Sequence, residues 1–164
     1  MFPPALQDDA ARLLEEFHSR ALRLVTAESS TGGLVVALLT EIAGSSGVVE
    51  RGFVTYSNAA KREELGVPDA LLAAHGAVSE AVARAMAEGA LAHSPADVAV
   101  SVTGVAGPGG GSAAKPVGLM HLAAARRGRP TLHRECRFGD IGRQRVRLET
   151  VAAALSLLRS AVAN

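Results

Sequence analysis

The chain has little of the material that several protein classes depend on. It holds one cysteine, Cys136, so no internal disulfide can form, and a reducing cytoplasm is the compartment that fits. It has no tryptophan and only 3% aromatic residues, poor material for base-stacking platforms. Its net charge is +1, so no strong field draws it to nucleic acid or to an acidic surface. No apolar run approaches the ~20 residues that a membrane span needs. Met1-Phe2-Pro3-Pro4 lacks the basic start and apolar core of a signal peptide. The histidines and the cysteine show no metal-ligand spacing, with no H-E-x-x-H and no cysteine pair. There is no G-x-x-x-x-G-K-[ST], and no G-x-G-x-x-G leading into a helix, which weighs against nucleotide hydrolysis and dinucleotide binding. Lysine occurs only at Lys61 and Lys115.

What is present is a core. The 164 residues are 48% hydrophobic, enough for one domain spanning 1–164. Asp8 to Arg20 reads as an amphipathic helix with Leu13, Leu14 and Phe17 on one face. Leu22–Thr26 reads as a buried strand, and Leu34 to about Ile42 as a helix. Val48–Tyr56 is a second strand, followed by short helices Ala59–Leu65 and from Pro68 to His75. Ser79 is placed to cap a longer helix to about His93. Asp97–Thr103 alternates valines with small residues, as a strand does. Val117–Ala125 and Thr131–Phe138 read as a hairpin around Gly128-Arg129-Pro130, and Arg143–Ala163 as a final helix. Helices interspersed with strands predict a three-layer α/β/α sandwich, and the late hairpin makes its sheet mixed. Ligands in such sheets sit at the carboxyl ends of strands. Three polar, glycine-bearing loops are expected there, at 28–33, 44–47 and 103–116.

The stretch Ala27-Glu28-Ser29-Ser30-Thr31-Gly32-Gly33 stands where a strand ends and a helix begins. The first N–H groups of a helix have no intrahelical partner, and the helix dipole is positive there. A hydroxyl held at that end can attack a carbonyl while free N–H groups stabilise the oxyanion. The plainer reading is that Ser29 to Thr31 cap the helix. Lys61 is the first candidate base for Ser29. A serine needs one, and a lysine serves when burial keeps it neutral. Lowering its pKa from ~10.4 to ~7.5 needs roughly 4 kcal/mol of differential destabilisation of the charged form. The plainer reading is an exposed lysine beside Arg62, Glu63 and Glu64. Ser112-Ala113-Ala114-Lys115 matches S-x-x-K, but the glycines before it and Pro116 after it preclude the helix that the pattern requires. Arg143, Arg145 and Arg147 open the last helix, either as a solvated basic face or with one of them holding a phosphate.

An ordered set of motifs carries a resemblance. Ala27-Glu28-Ser29-x-Thr31-Gly32-Gly33, Gly44-Ser45-Ser46, Gly52-Phe53-Val54-Thr55-Tyr56-Ser57-Asn58-x-x-Lys61, His75-Gly76-Ala77-Val78-Ser79, Thr103-Gly104-x-Ala106-Gly107-Pro108 and Lys115-Pro116-Val117-Gly118 resemble the C-terminal domain of the competence/damage-inducible CinA proteins. The resemblance runs from about Val25 onward. It implies an amidohydrolase that converts nicotinamide mononucleotide (NMN) to nicotinic acid mononucleotide and ammonia, with no metal or other cofactor. It implies a catalytic Ser29–Lys61 pair, with Ser30, Thr31, Gly32, Gly33, Ser46, Tyr56, Thr103, Gly104 and Arg143 in binding or support. The oxyanion would be held by N–H groups around Thr31 to Gly33. The family usually has cysteine where this chain has Ser30, so a cysteine nucleophile is excluded and Ser30 becomes a rival hydroxyl to Ser29. Family members are commonly oligomeric, which implies a homodimer or larger; neither nucleic acid nor membrane is expected as a partner. A non-catalytic nucleotide-binding or regulatory domain is the alternative.

Overall fold

The computed structural model describes residues 1–163. Its elements run α1 (Pro4–Ser19), β1 (Leu24–Glu28), α2 (Leu34–Glu41), a 3-10 turn (Ser45–Gly47), β2 (Val49–Val54), α3 (Asn58–Leu65), α4 (Asp69–His75), α5 (Glu80–Ala92), β3 (Val98–Gly104), β4 (Leu119–Arg126), β5 (Leu132–Arg137) and α6 (Arg143–Val162). The strands form one sheet in the order β2-β1-β3-β4-β5. β1 pairs in parallel with β2 and β3, while β3–β4 and β4–β5 are antiparallel. The mixed sheet and the α/β/α sandwich are thus as the element order predicts.

Each sheet face buries its own core. Leu24, Val98, Val100 and Val102 pack with Phe17 of α1, Leu38 of α2 and Leu155 of α6. On the opposite face Val25, Ala27, Ala99 and Ala123 meet Met86 and Ala87 of α5, with Leu65 of α3 behind. Small side chains on both sides bring α5 close to the sheet. Gly89 serves the same closeness, since a Cβ there would run into the Leu65 carbonyl. The caps follow local chemistry: Ser57 Oγ accepts from Ala60 N–H at 3.0 Å at the start of α3, and Ser79 Oγ from Val82 N–H at 3.3 Å at the start of α5.

Several boundaries move for identifiable reasons. α1 begins at Pro4 rather than Asp8, because proline suits a first helical position. Pro68 stands just outside α4 rather than inside its first turn. β1 is Leu24–Glu28 rather than Leu22–Thr26. Ala21 turns the chain with φ 51°, and Arg23 N–H donates to the Asp97 carboxylate at 2.8 Å, so pairing starts two residues later. The shift draws Glu28 into the sheet. The 44–47 loop also lies elsewhere than expected. It precedes β2, which is parallel to β1, so it sits at the amino end of the sheet. Residues 29–33 follow β1 and the 105–118 loop follows β3, at the carboxyl end. Ser46 is exposed at the wrong end of the sheet to meet Ser29 within one chain.

Candidate active site

The carboxyl ends of β1, β2 and β3 lie side by side, with Glu28 in register with Val54 and Val102. Ser29, Thr55 and Thr103 therefore follow one another across adjacent strands. Past β2 the chain enters α3, started by Ser57 and ended by Gly66 at φ 67°. Lys61 and Leu65, four residues apart, share the inward face of this helix, while Arg62, Glu63 and Glu64 are exposed. Lys61 is only 1% exposed, which overturns the surface reading of this lysine.

Its ammonium nitrogen has three partners. Nζ lies 2.9 Å from Ser29 Oγ, 2.8 Å from the Thr55 carbonyl and 3.2 Å from the Tyr56 carbonyl. None is a carboxylate. Burial disfavours the charged form and pushes the Lys61 pKa down to about 8. The rival hydroxyl has no such neighbour: Ser30 Oγ is buried without a hydrogen-bond partner.

The turn between Ser29 and α2 is built differently from both expectations. The helix begins at Gly33, φ 96°, without a side-chain cap from Ser29, Ser30 or Thr31. The fully buried Glu28 carboxylate takes that place instead. It accepts from Gly33 N–H at 3.1 Å, Val35 N–H at 3.0 Å, Val36 N–H at 2.9 Å and Thr31 Oγ1 at 2.7 Å. A carboxylate at a helix N-terminus satisfies orphan donors and complements the dipole. The Gly32 N–H is used as well, donating to the Ser29 carbonyl at 3.0 Å. Gly32 and Gly33 thus have no N–H to offer an oxyanion, which corrects the Thr31–Gly33 assignment. The N–H groups of Ser30 and Thr31 are unpartnered among the described residues.

The other predicted residues divide. Thr103 Oγ1 donates to the Ala77 carbonyl at 2.8 Å, joining the end of β3 to the chain ahead of α5. Gly104 is required by packing, since a Cβ would collide with the Met120 side chain and the Leu119 carbonyl. Tyr56 is 63% exposed at the rim. Arg143 bridges it to the glycine-rich loop, donating to the Tyr56 hydroxyl at 3.4 Å and the Gly107 carbonyl at 2.7 Å. Ser112 to Lys115 is not helical, and Lys115 Nζ donates to the His75 carbonyl instead of meeting Ser112. Two features escape sequence reasoning. Arg147 donates to the Ser30 carbonyl at 3.1 Å and the Thr31 carbonyl at 2.9 Å. His121 and His133 stack at 5.2 Å across the hairpin, their rings linked at 2.9 Å, and burial lowers both pKa values. Among the described residues no group of three or more His, Cys, Asp or Glu could hold a metal ion, and no helix is long and apolar enough to cross a membrane.

A hydroxyl in contact with a buried, carboxylate-free amine, followed in the chain by the unpartnered Ser30 N–H, suits nucleophilic attack on a carbonyl. Comparison with known proteins points the same way. The model of the CinA C-terminal domain matches residues 6–162. A nicotinamide-nucleotide amidohydrolase, PncC of Escherichia coli, is 52% identical over 141 residues, covering 85% of this chain and 84% of that protein. A CinA-like protein of Anaeromyxobacter dehalogenans is 53% identical over 145 residues, covering 88% of this chain but 35% of that protein. The chain spans 28% to 38% of the length of four such curated CinA-type relatives. The crystal structure of the competence/damage inducible protein CihA from Agrobacterium tumefaciens superposes with TM-score 0.97 at 54% identity, covering 99% of this chain and 98% of that one.

Proposed function

The chain belongs to the CinA C-terminal domain family, and from that premise we propose that it hydrolyses the carboxamide of NMN to nicotinic acid mononucleotide and ammonia. The single observation that carries the chemistry is the 2.9 Å contact between Ser29 Oγ and the buried Lys61 Nζ. A neutral lysine has two N–H bonds and one lone pair. The Thr55 and Tyr56 carbonyls accept the two N–H bonds, which leaves the lone pair for the Ser29 hydroxyl. Lys61 takes the Ser29 proton as Oγ bonds to the carboxamide carbon. The oxyanion rests on the N–H group of Ser30. As the tetrahedral intermediate collapses, the C–N bond breaks and Lys61 returns the proton to the departing ammonia. Water then adds to the acyl-serine, its proton passing to Lys61 and on to Ser29 as the acid leaves.

Tyr56 and Thr103 border the reacting ring, and Arg143, held at the rim beside Gly107, receives the phosphate. The chain acts as one folded unit in the cytoplasm. It forms a homodimer or larger assembly, which light scattering in solution tests.

Ammonia release from NMN, with the pyridine product identified by chromatography, tests the function. Ser29→Ala is expected to lose at least ~10³-fold in kcat, as when a nucleophile is removed, while keeping its far-UV and thermal signatures. NMN binding without product in the wild-type protein would favour a regulatory binding domain instead.

A further inference from the structure

Arg147 belongs to the last helix, yet its guanidinium grips the turn after Ser29 from outside, through the carbonyls of Ser30 and Thr31. A trans peptide is planar, and its C=O and N–H point in opposite directions. Fixing the Ser30 carbonyl toward Arg147 therefore aims the Thr31 N–H away from it. Fixing the Thr31 carbonyl does the same for the Gly32 N–H, which duly bonds the Ser29 carbonyl at 3.0 Å. Thr31 is fully buried, so its own N–H stays inside the turn; the peptide between Thr31 and Gly32, in contrast, fixes the Ser29 carbonyl and thereby turns the unpartnered Ser30 N–H the opposite way. On the inner side Glu28 holds Thr31 Oγ1 and Gly33 N–H, so the turn is clamped from both faces. Gly32 also fits this clamp: a Cβ there would stand 3.4 Å from Arg147 Nη2, at φ 59°.

From this geometry we infer that Arg147 is a positioning residue that orients the Ser30 N–H as an oxyanion donor, acting through the Thr31 carbonyl and the Gly32 N–H bond to the Ser29 carbonyl. A cation on the Thr31 carbonyl also polarises that amide and strengthens the Gly32 N–H bond to the Ser29 carbonyl. The inference rests on the amide-hydrolysis reading of the Ser29 site. It gives Arg147 a part distinct from that of Arg143, which touches neither carbonyl of the turn.

Two readouts test it. With NMN, Arg147→Met is expected to lower kcat roughly 10- to 100-fold, less than the ~10²–10³ seen when an oxyanion donor is removed outright. KM should stay within about twofold, the pH midpoint of the Lys61 limb should not move, and Arg147→Lys should recover part of the loss. The second readout needs no NMN. Acylation of Ser29 by p-nitrophenyl acetate, followed by intact mass, forms the same oxyanion on a small ester, and Arg147→Met should slow it by a similar factor. If NMN is not hydrolysed but acylation depends on Arg147, the substrate reading fails and this inference stands. Equal acylation rates in variant and wild type, or no acylation of wild-type Ser29, would overturn it. So would a rise in KM at unchanged kcat, which would make Arg147 a substrate ligand.

Discussion

Burial of Lys61 sets a magnitude for catalysis that a pH profile can read. With the pKa pushed down to about 8, about one molecule in ten carries the free amine at pH 7. At the ordinary value of 10.5 the fraction would be about 3 in 10,000, so burial raises the supply of base about 300-fold. Ammonia release at saturating NMN should therefore rise about tenfold per pH unit below a midpoint near 8 and level off above it. The same shift acts on stability. The folded pKa lies below the unfolded one, so between about 8 and 10.5 the unfolded chain holds a proton that the folded chain has released. Stability from this group is thus lowest below pH 8 and grows as pH rises through that window, by up to about 3 kcal/mol. Urea denaturation at pH 7.5 and pH 10 should show the gain in the wild-type protein and lose it in Lys61→Met. A rate that is flat from pH 6 to 9, or a pH-dependent gain that survives in Lys61→Met, would refute Lys61 as a buried base.

Two further outcomes follow from the turn. Glu28→Gln puts an amide where a carboxylate receives four donors, so at least one N–H loses its acceptor. We expect a loss of about 2–4 kcal/mol in denaturant unfolding, with kcat falling further than stability alone explains. Ser30→Cys replaces a buried, unpartnered hydroxyl with a group that tolerates burial. Stability should rise by up to ~1 kcal/mol with activity within about twofold, and a sharp activity loss would restore Ser30 as a rival nucleophile.

The elements that local rules govern were legible in the residues. Alternating valines in Val98–Val102, the Ser57 and Ser79 caps and the hairpin around Gly128 all depend on neighbours a few positions away. The Ser29–Lys61 pair was legible too, through the motifs that surround each residue. The contact itself needed the sheet, because parallel pairing of β1 and β2 brings two strand ends together across 32 positions.

Other features had no local signal. Glu28 looks like one more polar residue of a turn, and only the point where β1 begins pairing turns it inward. Ser46 shares the glycine and hydroxyl character of the loops after β1 and β3, and only strand direction sends it to the opposite end. Arg143, Arg145 and Arg147 are indistinguishable as a basic helix start. Arg147 reaches a turn 117 and 116 positions earlier, and Arg143 the rim, because α6 packs across the β1–α2 junction. By itself the sequence determined the layers, which follow from periodicity and capping, and its ordered motifs singled out Ser29 and Lys61 as candidates. Tertiary structure decided which N–H groups lack partners, which arginine holds the turn, and that Lys61 is buried against Ser29. Those are properties of packing between elements remote in the chain, and no local pattern encodes them.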